Sequence, residues 1–373
     1  MLGTVMARAG LFGYSAARVE QPRQAAGSGA SVSVVIPCYN YGHYLPTCVK
    51  SVLDQPGVDV DILIIDDASP DGSAGVVQRI AAGQARVRGI CHAENKGHIA
   101  TYNEGLSQVS GKYAVLLSAD DLLTPGSLAR ATALMEAHPS VGLTYGFSVD
   151  FTDDGPPPAR TAATSWTIWA GHDWIADRCK TGRNVLRSPE AVMRTSVLRS
   201  VGGYRADLPH SGDFEMWMRA ATTSDVGYVG GADQAYYRVH QNNMHHSIFD
   251  LHADVAERVR AFDSVFAERS SLLADAQHMS QAAHRALGRE ALGHAISAYA
   301  RGVADTEPVD DFAALAMKTW PDAGQLREWR VLRRLRERDG RQPRWDPSAR
   351  AREAARNLTY SFRWWRRRWS GAS

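Results

Sequence analysis

Two adjacent carboxylates, Asp120 and Asp121, close the apolar run Val115-Leu116-Leu117-Ser118-Ala119. An apolar stretch ending in acid groups reads as a buried strand carrying them to its carboxyl end, where open α/β sheets place their ligands. Side-by-side carboxylates repel unless a cation sits between them, and a hard ion such as Mg²⁺ or Mn²⁺ suits oxygen ligands. Asp153-Asp154 and Asp310-Asp311 have the same composition and read as solvated loop acids. What sets the first pair apart is three more polar clusters, each at the end of a predicted strand: Pro37-Cys38-Tyr39-Asn40, Asp66-Asp67-Ala68-Ser69 and Asn95-Lys96-Gly97. Gathered on one rim, they combine acid pairs, amides, an aromatic ring and glycine-allowed backbone. That mixture suits a nucleotide and its diphosphate held through a metal.

The elements needed to gather them are legible. Val32–Ile36 and Val60–Ile65 are short apolar runs, and Val87–Cys91, Tyr113–Leu117 and Val141–Tyr145 read as further strands. Between them Tyr44–Leu53, Ser73–Ala82, Ile99–Val109 and Pro125–Ala137 have helical spacing. This alternation predicts βαβ units on a parallel sheet covered on both faces. After Asp150 the alternation fails: Pro156-Pro157-Pro158 marks a loop, and Trp166, Trp169 and Trp174 lie in a mixed segment. A helix is predicted over Pro189–Val201, stopped by Gly202-Gly203, another over Asp213–Ala221, and strands over Val226–Val229 and Ala235–Val239. From about Ile248 the pattern is helical and rich in Ala and Arg. The predicted organisation is a disordered leader over 1–30, a mixed catalytic domain over 31–247, a helical extension over 248–338 and a basic tail over 339–373.

Five ordered blocks resemble the family 2 glycosyltransferases of the GT-A fold. They are Val34-Val35-Ile36-Pro37-Cys38-Tyr39-Asn40, Ile64-Ile65-Asp66-Asp67-Ala68-Ser69-Pro70-Asp71-Gly72-Ser73, Asn95-Lys96-Gly97 through Asn103-Glu104-Gly105, Leu117-Ser118-Ala119-Asp120-Asp121, and Gly202-Gly203-Tyr204 followed by Asp213-Phe214-Glu215-Met216-Trp217-Met218-Arg219. The resemblance covers roughly residues 31–245. It implies an α/β fold with a mixed, mainly parallel sheet flanked by helices, here with a helical C-terminal extension. It also implies an inverting enzyme that moves a sugar from a nucleotide-diphosphate donor to a hydroxyl acceptor, lipid-linked or part of a polysaccharide, glycolipid or other glycoconjugate.

The resemblance assigns roles position by position. Asp67 is implied to bond the nucleotide base, with Pro37, Tyr39 and Asn40 lining base and ribose; read alone, Asp67 is equally a turn former and Tyr39 a packed aromatic. Asn95, Gly97 and Asn103 join the donor site by the same analogy, although both asparagines also suit helix caps. Asp120 takes the place of the metal-binding Asp of an Asp-x-Asp motif whose first position here is Ser118. On a strand Ser118 and Asp120 share a face, but a hydroxyl brings no charge, which leaves Asp121 to compensate. Asp213 is implied to be the catalytic base, with Gly212 where the family has Glu; the bland alternative is a helix N-cap. Arg238 and His240 alternate along one strand face and are candidate diphosphate and metal contacts, which makes Asp120, Asp121 and His240 the expected metal set. Trp217 reads as core, and His245-His246 as loop residues.

Composition narrows the rivals. The chain has 373 residues, 44% hydrophobic and 22% charged, and a formal charge of +2. That small value hides an asymmetry, because Leu326–Ser373 alone carries fifteen Arg against five acids. Six of the ten Trp lie from Trp320 onward, including Trp345, Trp364, Trp365 and Trp369. Leu326, Trp329, Leu332 and Leu335 share one side of a predicted helix with Arg on the other, a pattern suited to an anionic bilayer surface; a solvated Arg helix and a nucleic-acid contact, the latter disfavoured, are the alternatives. Cys38, Cys48, Cys91 and Cys179 show no metal-ligand spacing, and Cys38 and Cys91 read as small core residues, which points to a cytoplasmic location. No G-x-G-x-x-G follows the first strand and no G-x-x-x-x-G-K occurs, which disfavours a dinucleotide oxidoreductase and excludes a P-loop kinase. The remaining rival is a nucleotide-sugar-binding protein that has lost catalysis, suggested by Ser118 and Gly212.

Overall fold

A computed structural model describes residues 17–23, 29–241 and 251–338. Within them the chain divides into two compact units: one holds residues up to 174 and 185–241, the other 175–184 and 251–338.

The first unit is built on one sheet of ten strands. Val/Ile-rich β2 (Ala30–Cys38) and β3 (Val58–Asp66) are followed by β4 (Val87–Cys91) and β5 (Tyr113–Leu116). The pairs β2–β3, β3–β4 and β2–β5 are all parallel. Each crossover carries a helix: α1 (Leu45–Leu53), α2 (Ser73–Gly83) and α3 (His98–Ser107). Where β2, β3 and β5 are covered on both faces they read as apolar runs, whereas β4, at the sheet edge, is largely exposed. Val34, Ile36, Ile62, Ile64, Val115 and Leu117 are essentially solvent-free in the core between them. Gly105 lets α3 lie against this sheet, since a Cβ there would stand 2.3 Å from Val35 Cγ1.

The short strand β6 (Leu122–Leu123) precedes α4 (Ser127–Ala137) and the long β7 (Val141–Phe151). Then come β8 (Ser165–Trp169), α5 (Gly171–Thr181), β9 (Val192–Arg194), α6 (Thr195–Val201), α7 (Gly212–Ala221) and β10 (Asp225–Arg238). The sheet order is β8-β10-β7-β9-β5-β2-β3-β4, with β6 pairing β10. Outside the βαβ half the pairings are mixed: β9 is antiparallel to both β5 and β7, and β10 is parallel to β7 but antiparallel to β8 and β6.

Four expectations are corrected. The predicted helix over Pro189–Val201 is a 3₁₀ turn, then β9, then α6, because Val192 and Met193 complete the sheet between β5 and β7. The two predicted strands near 226 and 235 are one strand, β10, with register shifts between Tyr228 and Asp233 and between Asp233 and Ala235. Within the leader expected to be disordered, Arg18–Glu20 (β1) pairs antiparallel with β8. Cys91 is exposed rather than core, although Cys38, Cys48 and Cys179 are buried.

The second unit is helical: α8 (Leu251–Arg269), α9 (Ala276–Arg301), α10 (Val309–Thr319) and α11 (Arg327–Arg338). It also includes residues 175–184, so the predicted boundary at 247 is not the only division of the chain. Arg258 ties those residues in by donating to the Gly182 carbonyl at 2.8 Å and pairing with Asp254 and Glu290. Leu326, Leu332 and Leu335 are buried, leaving α11 with Arg327, Arg330, Arg333 and Arg334 on its exposed face. No helix among the described residues is long and apolar enough to cross a membrane. Trp345, Phe362, the Trp364–Trp369 segment and His245-His246 lie outside the described residues.

Candidate active site

Parallel pairing puts the carboxyl ends of β2, β3, β4 and β5 on one rim, and the four predicted clusters follow them there. At the first tip the Asp67 amide donates to the Cys38 carbonyl at 2.9 Å, joining β3 to β2. Asn40 adopts the left-handed region at φ 62°. Its amide donates to Ser69 Oγ, and its own Oδ1 is buried without a partner. Tyr39 is 47% exposed, which rules out the packed-aromatic alternative and leaves a ring face free; Pro37 beside it is half-buried.

Asp67 is more than a turn former. That task falls to Asp66, which accepts from the Ser69 amide and hydroxyl. The Asp67 carboxylate accepts from the Lys96 amide at 2.8 Å and the Gly97 amide at 2.9 Å, and lies 2.7 Å from His92 Nδ1. Burial alone would raise its pKa, but the Lys96 amide and His92 outweigh it and the pKa falls. Asn95 locks the same turn by donating to the Asp67 carbonyl and accepting from Gly97, which needs its φ of 83°. Asp67, Asn95 and Gly97 therefore form one assembly. Asn103 makes other bonds: both ends of its amide clamp the Tyr204 backbone, at 2.8 and 2.7 Å.

At the β5 tip Asp120 and Asp121 are both buried. His240 Nε2 is 3.1 Å from Asp120 Oδ2, and the His240 ring stacks on Tyr44. The Arg238 amide donates to Asp121 Oδ1 at 2.9 Å, and its guanidinium reaches the Asp120 carbonyl and Asp153 while lying over the Tyr44 ring. Both carboxyls are raised above the usual range: Asp120 by burial, which His240 and Arg238 only partly offset, and Asp121 by burial and then by the Asp120 charge. Ser118, two residues before Asp120, is half-buried. The expected three-residue metal set is corrected in one respect, because Asp121 turns an oxygen to a backbone amide. Among the described residues no group of three or more His, Cys, Asp or Glu side chains gathers as a cage. The donor set still fits a hard cation, since of two adjacent buried carboxylates one lies against an imidazole and both lack full compensation.

Asp213 is the second residue of α7, so it is not the N-cap; that position is Ser211, whose side chain makes no capping bond. The Asp213 carboxylate instead accepts from Ser188 Oγ at 2.6 Å. Burial raises the Tyr102 and Tyr204 phenols, and the Asp213 charge adds to both. The charges of Asp120 and Asp121 raise the Tyr102 phenol further. A Cβ on Gly212 would meet Tyr204 Cδ1 at 3.1 Å, so Tyr204 crowds the place where the family carries Glu. Trp217 is core, as predicted, and Arg219 pairs with buried Glu215 while donating to the Val201 and Gly203 carbonyls.

Four site residues had no legible signal in the sequence. Tyr102 and Ser188 are ordinary helix and turn residues that only the fold sets beside Asp213. His92 reads as one lone histidine at a strand end. Arg187 acts on Asp121 electrostatically and lies 4.3 Å over the Tyr237 ring, far from both in sequence.

Residues 33–200 match the family described as Glycosyl transferase family 2. Glycosyltransferase GlyG of Streptococcus pneumoniae is 38% identical over 93 residues, 25% of this chain and 31% of GlyG. An uncharacterized glycosyltransferase of Nostoc sp. is 31% identical over 225 residues, 58% of this chain and 67% of that protein. The alignment thus spans about a third of the first relative and two thirds of the second. Among solved structures, S. aureus TarS 1-349 in complex with UDP-GlcNAc superposes with a TM-score of 0.56 at 17% identity, over 83% of this chain and 91% of that one, which establishes a shared fold. The chain belongs to glycosyl transferase family 2.

Proposed function

We propose that this enzyme transfers a sugar from a nucleotide-diphosphate donor to a hydroxyl acceptor with inversion, in the assembly of a polysaccharide, glycolipid or other glycoconjugate. The observation that carries the reading is the rim at the strand ends, where Asp67 accepts from the Lys96 and Gly97 amides while buried Asp120 lies against His240 and Asp121 against the Arg238 amide. TarS, which shares the fold, was crystallised with UDP-GlcNAc, in keeping with a nucleotide-sugar donor.

In this reading the base and ribose lie against Tyr39, Pro37 and Asn40, with Asp67 accepting a base N–H. The buried Asn40 Oδ1, which has no partner among the described residues, is an acceptor available at that end of the site. A bound Mg²⁺ or Mn²⁺ would be held by Asp120 and His240 beside Asp121 and would neutralise charge on the departing diphosphate. Arg238 and Arg187 fix the acids around that charge, and Ser118 offers a hydroxyl to the sugar. Asp213, oriented by the Ser188 hydroxyl, takes the acceptor's proton as its oxygen attacks the anomeric carbon opposite the leaving group. One displacement inverts the centre and needs no covalent intermediate.

The test is product formation from a panel of UDP-, GDP-, dTDP- and CDP-sugars, each with and without Mn²⁺. Metal-dependent transfer from one nucleotide class, lost in Asp120→Ala, supports the reading. Donor binding without transfer under any condition would favour the catalytically degenerate binder, the rival that Ser118 and Gly212 suggest.

The exposed Arg face of α11 supports a further part of the proposal, a cytoplasmic enzyme held at an anionic membrane surface. With the helix leucines packed inside the helical unit, the attraction is electrostatic rather than insertion of an apolar face.

A further inference from the structure

The helical unit holds a cleft of about 240 Å³, none of whose lining residues enters the transfer reaction. Residues three or four apart on a helix share a face, and on α8 that spacing brings Ala256, Val259, Arg260 and Asp263 to one wall of it. The α10 helix adds Leu315, Lys318 and Thr319 by the same spacing, and α9 adds His284.

The lining is divided by chemistry. Ala256 and Val259 are half-buried and Leu315 is buried, which makes the floor apolar. Arg260 and Lys318 are exposed and bring positive charge to the mouth. Arg260 is loosely held by its own helix, since its pair with Glu257 is long at 3.8 Å and its side chain is 56% exposed. The acid of the lining, Asp263, is engaged elsewhere: its Oδ1 lies 2.7 Å from His284 Nε2, while His284 Nδ1 lies 2.8 Å from the Ser280 carbonyl oxygen. The cleft thus offers a guanidinium fork, an ammonium and the Thr319 hydroxyl beside an apolar floor. A tetrahedral oxyanion suits that set, because Arg matches two of its oxygens at once, Lys meets it as a point charge and Thr donates a hydroxyl hydrogen. A carboxylate has only two oxygens for the same groups. The cleft is smaller than the roughly 300–1,000 Å³ of drug-sized sites, which leaves room for a phosphate and a short carbon arm.

We propose that this cleft binds a phosphate monoester carrying an apolar arm. Arg260, Lys318 and Thr319 hold the phosphate, and the arm lies on Ala256, Val259 and Leu315. A monoester dianion matches two cations, where a diester brings a single charge. Such an ester is a soluble compound or the headgroup of an anionic lipid, and the contact is chemically the same for both. The site lies within the helical unit, so it does not depend on the roles given to Asp67, Asp120 or Asp213. None of its residues belongs to α11, whose Arg face attracts a charged surface rather than one molecule.

The experiment is calorimetry near neutral pH on the full chain, with inorganic phosphate, n-butyl phosphate and dihexanoyl phosphatidic acid as ligands. Butyl phosphate is expected to bind saturably and about tenfold more tightly than inorganic phosphate, the scale of two buried methylene groups. Equal affinity for butyl phosphate and the phosphatidic acid identifies a soluble ester as sufficient; tighter binding of the phosphatidic acid identifies the lipid headgroup. Replacing both cations, Arg260→Gln with Lys318→Gln, should weaken either ester about tenfold, the scale of two part-exposed charge contacts. Ala256→Leu fills the floor, leaves both cations in place and should abolish binding of the esters. Melting temperatures without ligand show that the variants fold, and the charge variant decides alone if Ala256→Leu does not. Wild type that binds neither ester saturably overturns the proposal. So does butyl phosphate that binds no more tightly than inorganic phosphate, since the apolar floor then plays no part. Binding that survives both variants overturns it too, because the Arg face of α11, which neither variant touches, would then be holding the anion.

Discussion

At the scale of single residues, the site places charge where a folded protein avoids it. Asp121 is buried against Asp120, and its carboxyl is raised well above the usual range. A carboxyl raised in the folded state is a net destabilisation above its unfolded pKa, because folding there holds a charge that burial and its neighbour oppose. Asp121→Asn keeps an acceptor for the Arg238 amide while removing that charge. We expect its melting temperature at neutral pH, without divalent metal, to rise by a few degrees, on the order of 1 kcal/mol, while metal-dependent transfer is lost. A variant that melts below wild type would mean the acid is already compensated. Asp213 lies in a different position, since its carboxylate rests on one serine hydroxyl at the start of a helix. Asp213→Asn should lower kcat by about 10²- to 10⁴-fold, the range for a lost general base, with little change in donor KM; steady-state kinetics at saturating acceptor checks it.

At the scale of elements, close approach decides which residues are tolerated. Gly105 sits where α3 meets β2 and β3, and a Cβ there would strike Val35 Cγ1 at 2.3 Å and Ile65 Cδ1 at 3.2 Å. Ala is the better helix former, so a purely local view predicts stabilisation. Overpacking should win, with Gly105→Ala costing about 1–3 kcal/mol in chemical denaturation. In the helical unit, His284 Nε2 on α9 is 2.7 Å from Asp263 Oδ1 on α8, and that hydrogen bond raises the histidine pKa despite burial. A histidine raised in the folded state adds stability that is complete below its unfolded pKa of about 6.5 and is lost as pH rises through the folded value. His284→Gln should therefore destabilise by about 0.5 kcal/mol near pH 6, the scale of a part-exposed pair, and by less near pH 9. Equal losses at both pH values would rule out the pair as the cause.

At the scale of the whole molecule, charge is distributed unevenly. The tail from Leu326 is strongly basic, while the chain as a whole stands at +2. Exposed Arg327, Arg330, Arg333 and Arg334 on α11 should draw the enzyme to vesicles containing anionic lipid, and not to neutral ones, in co-sedimentation. Because the attraction is between charges, it should weaken steeply with salt. Reversing Arg330 and Arg334 to Glu should weaken it further without changing the melting temperature. Binding that persists at high salt would instead indicate apolar insertion.

Local pattern alone determined much of this protein. The βαβ alternation, the strand-end clusters around Asp67, Asn95-Gly97 and Asp120-Asp121, and the helical second half were all legible. Buried parallel strands need continuous apolar runs, and the polar residues that follow such runs must emerge on one rim. Position by position, resemblance to the family singled out Asp213. Only the tertiary structure decided the rest. Val192–Arg194 is a strand because a gap in the sheet between β5 and β7 takes it, overriding a helical pattern too short to stand alone. Asn103 is a clamp on Tyr204, and Asp121 faces an amide of Arg238, 117 residues away. His92, Tyr102 and Ser188 gain their neighbours only when helices and strands distant in sequence pack together. Spacing along a chain reports which face of an element a residue occupies; which charge it meets there is settled by long-range packing.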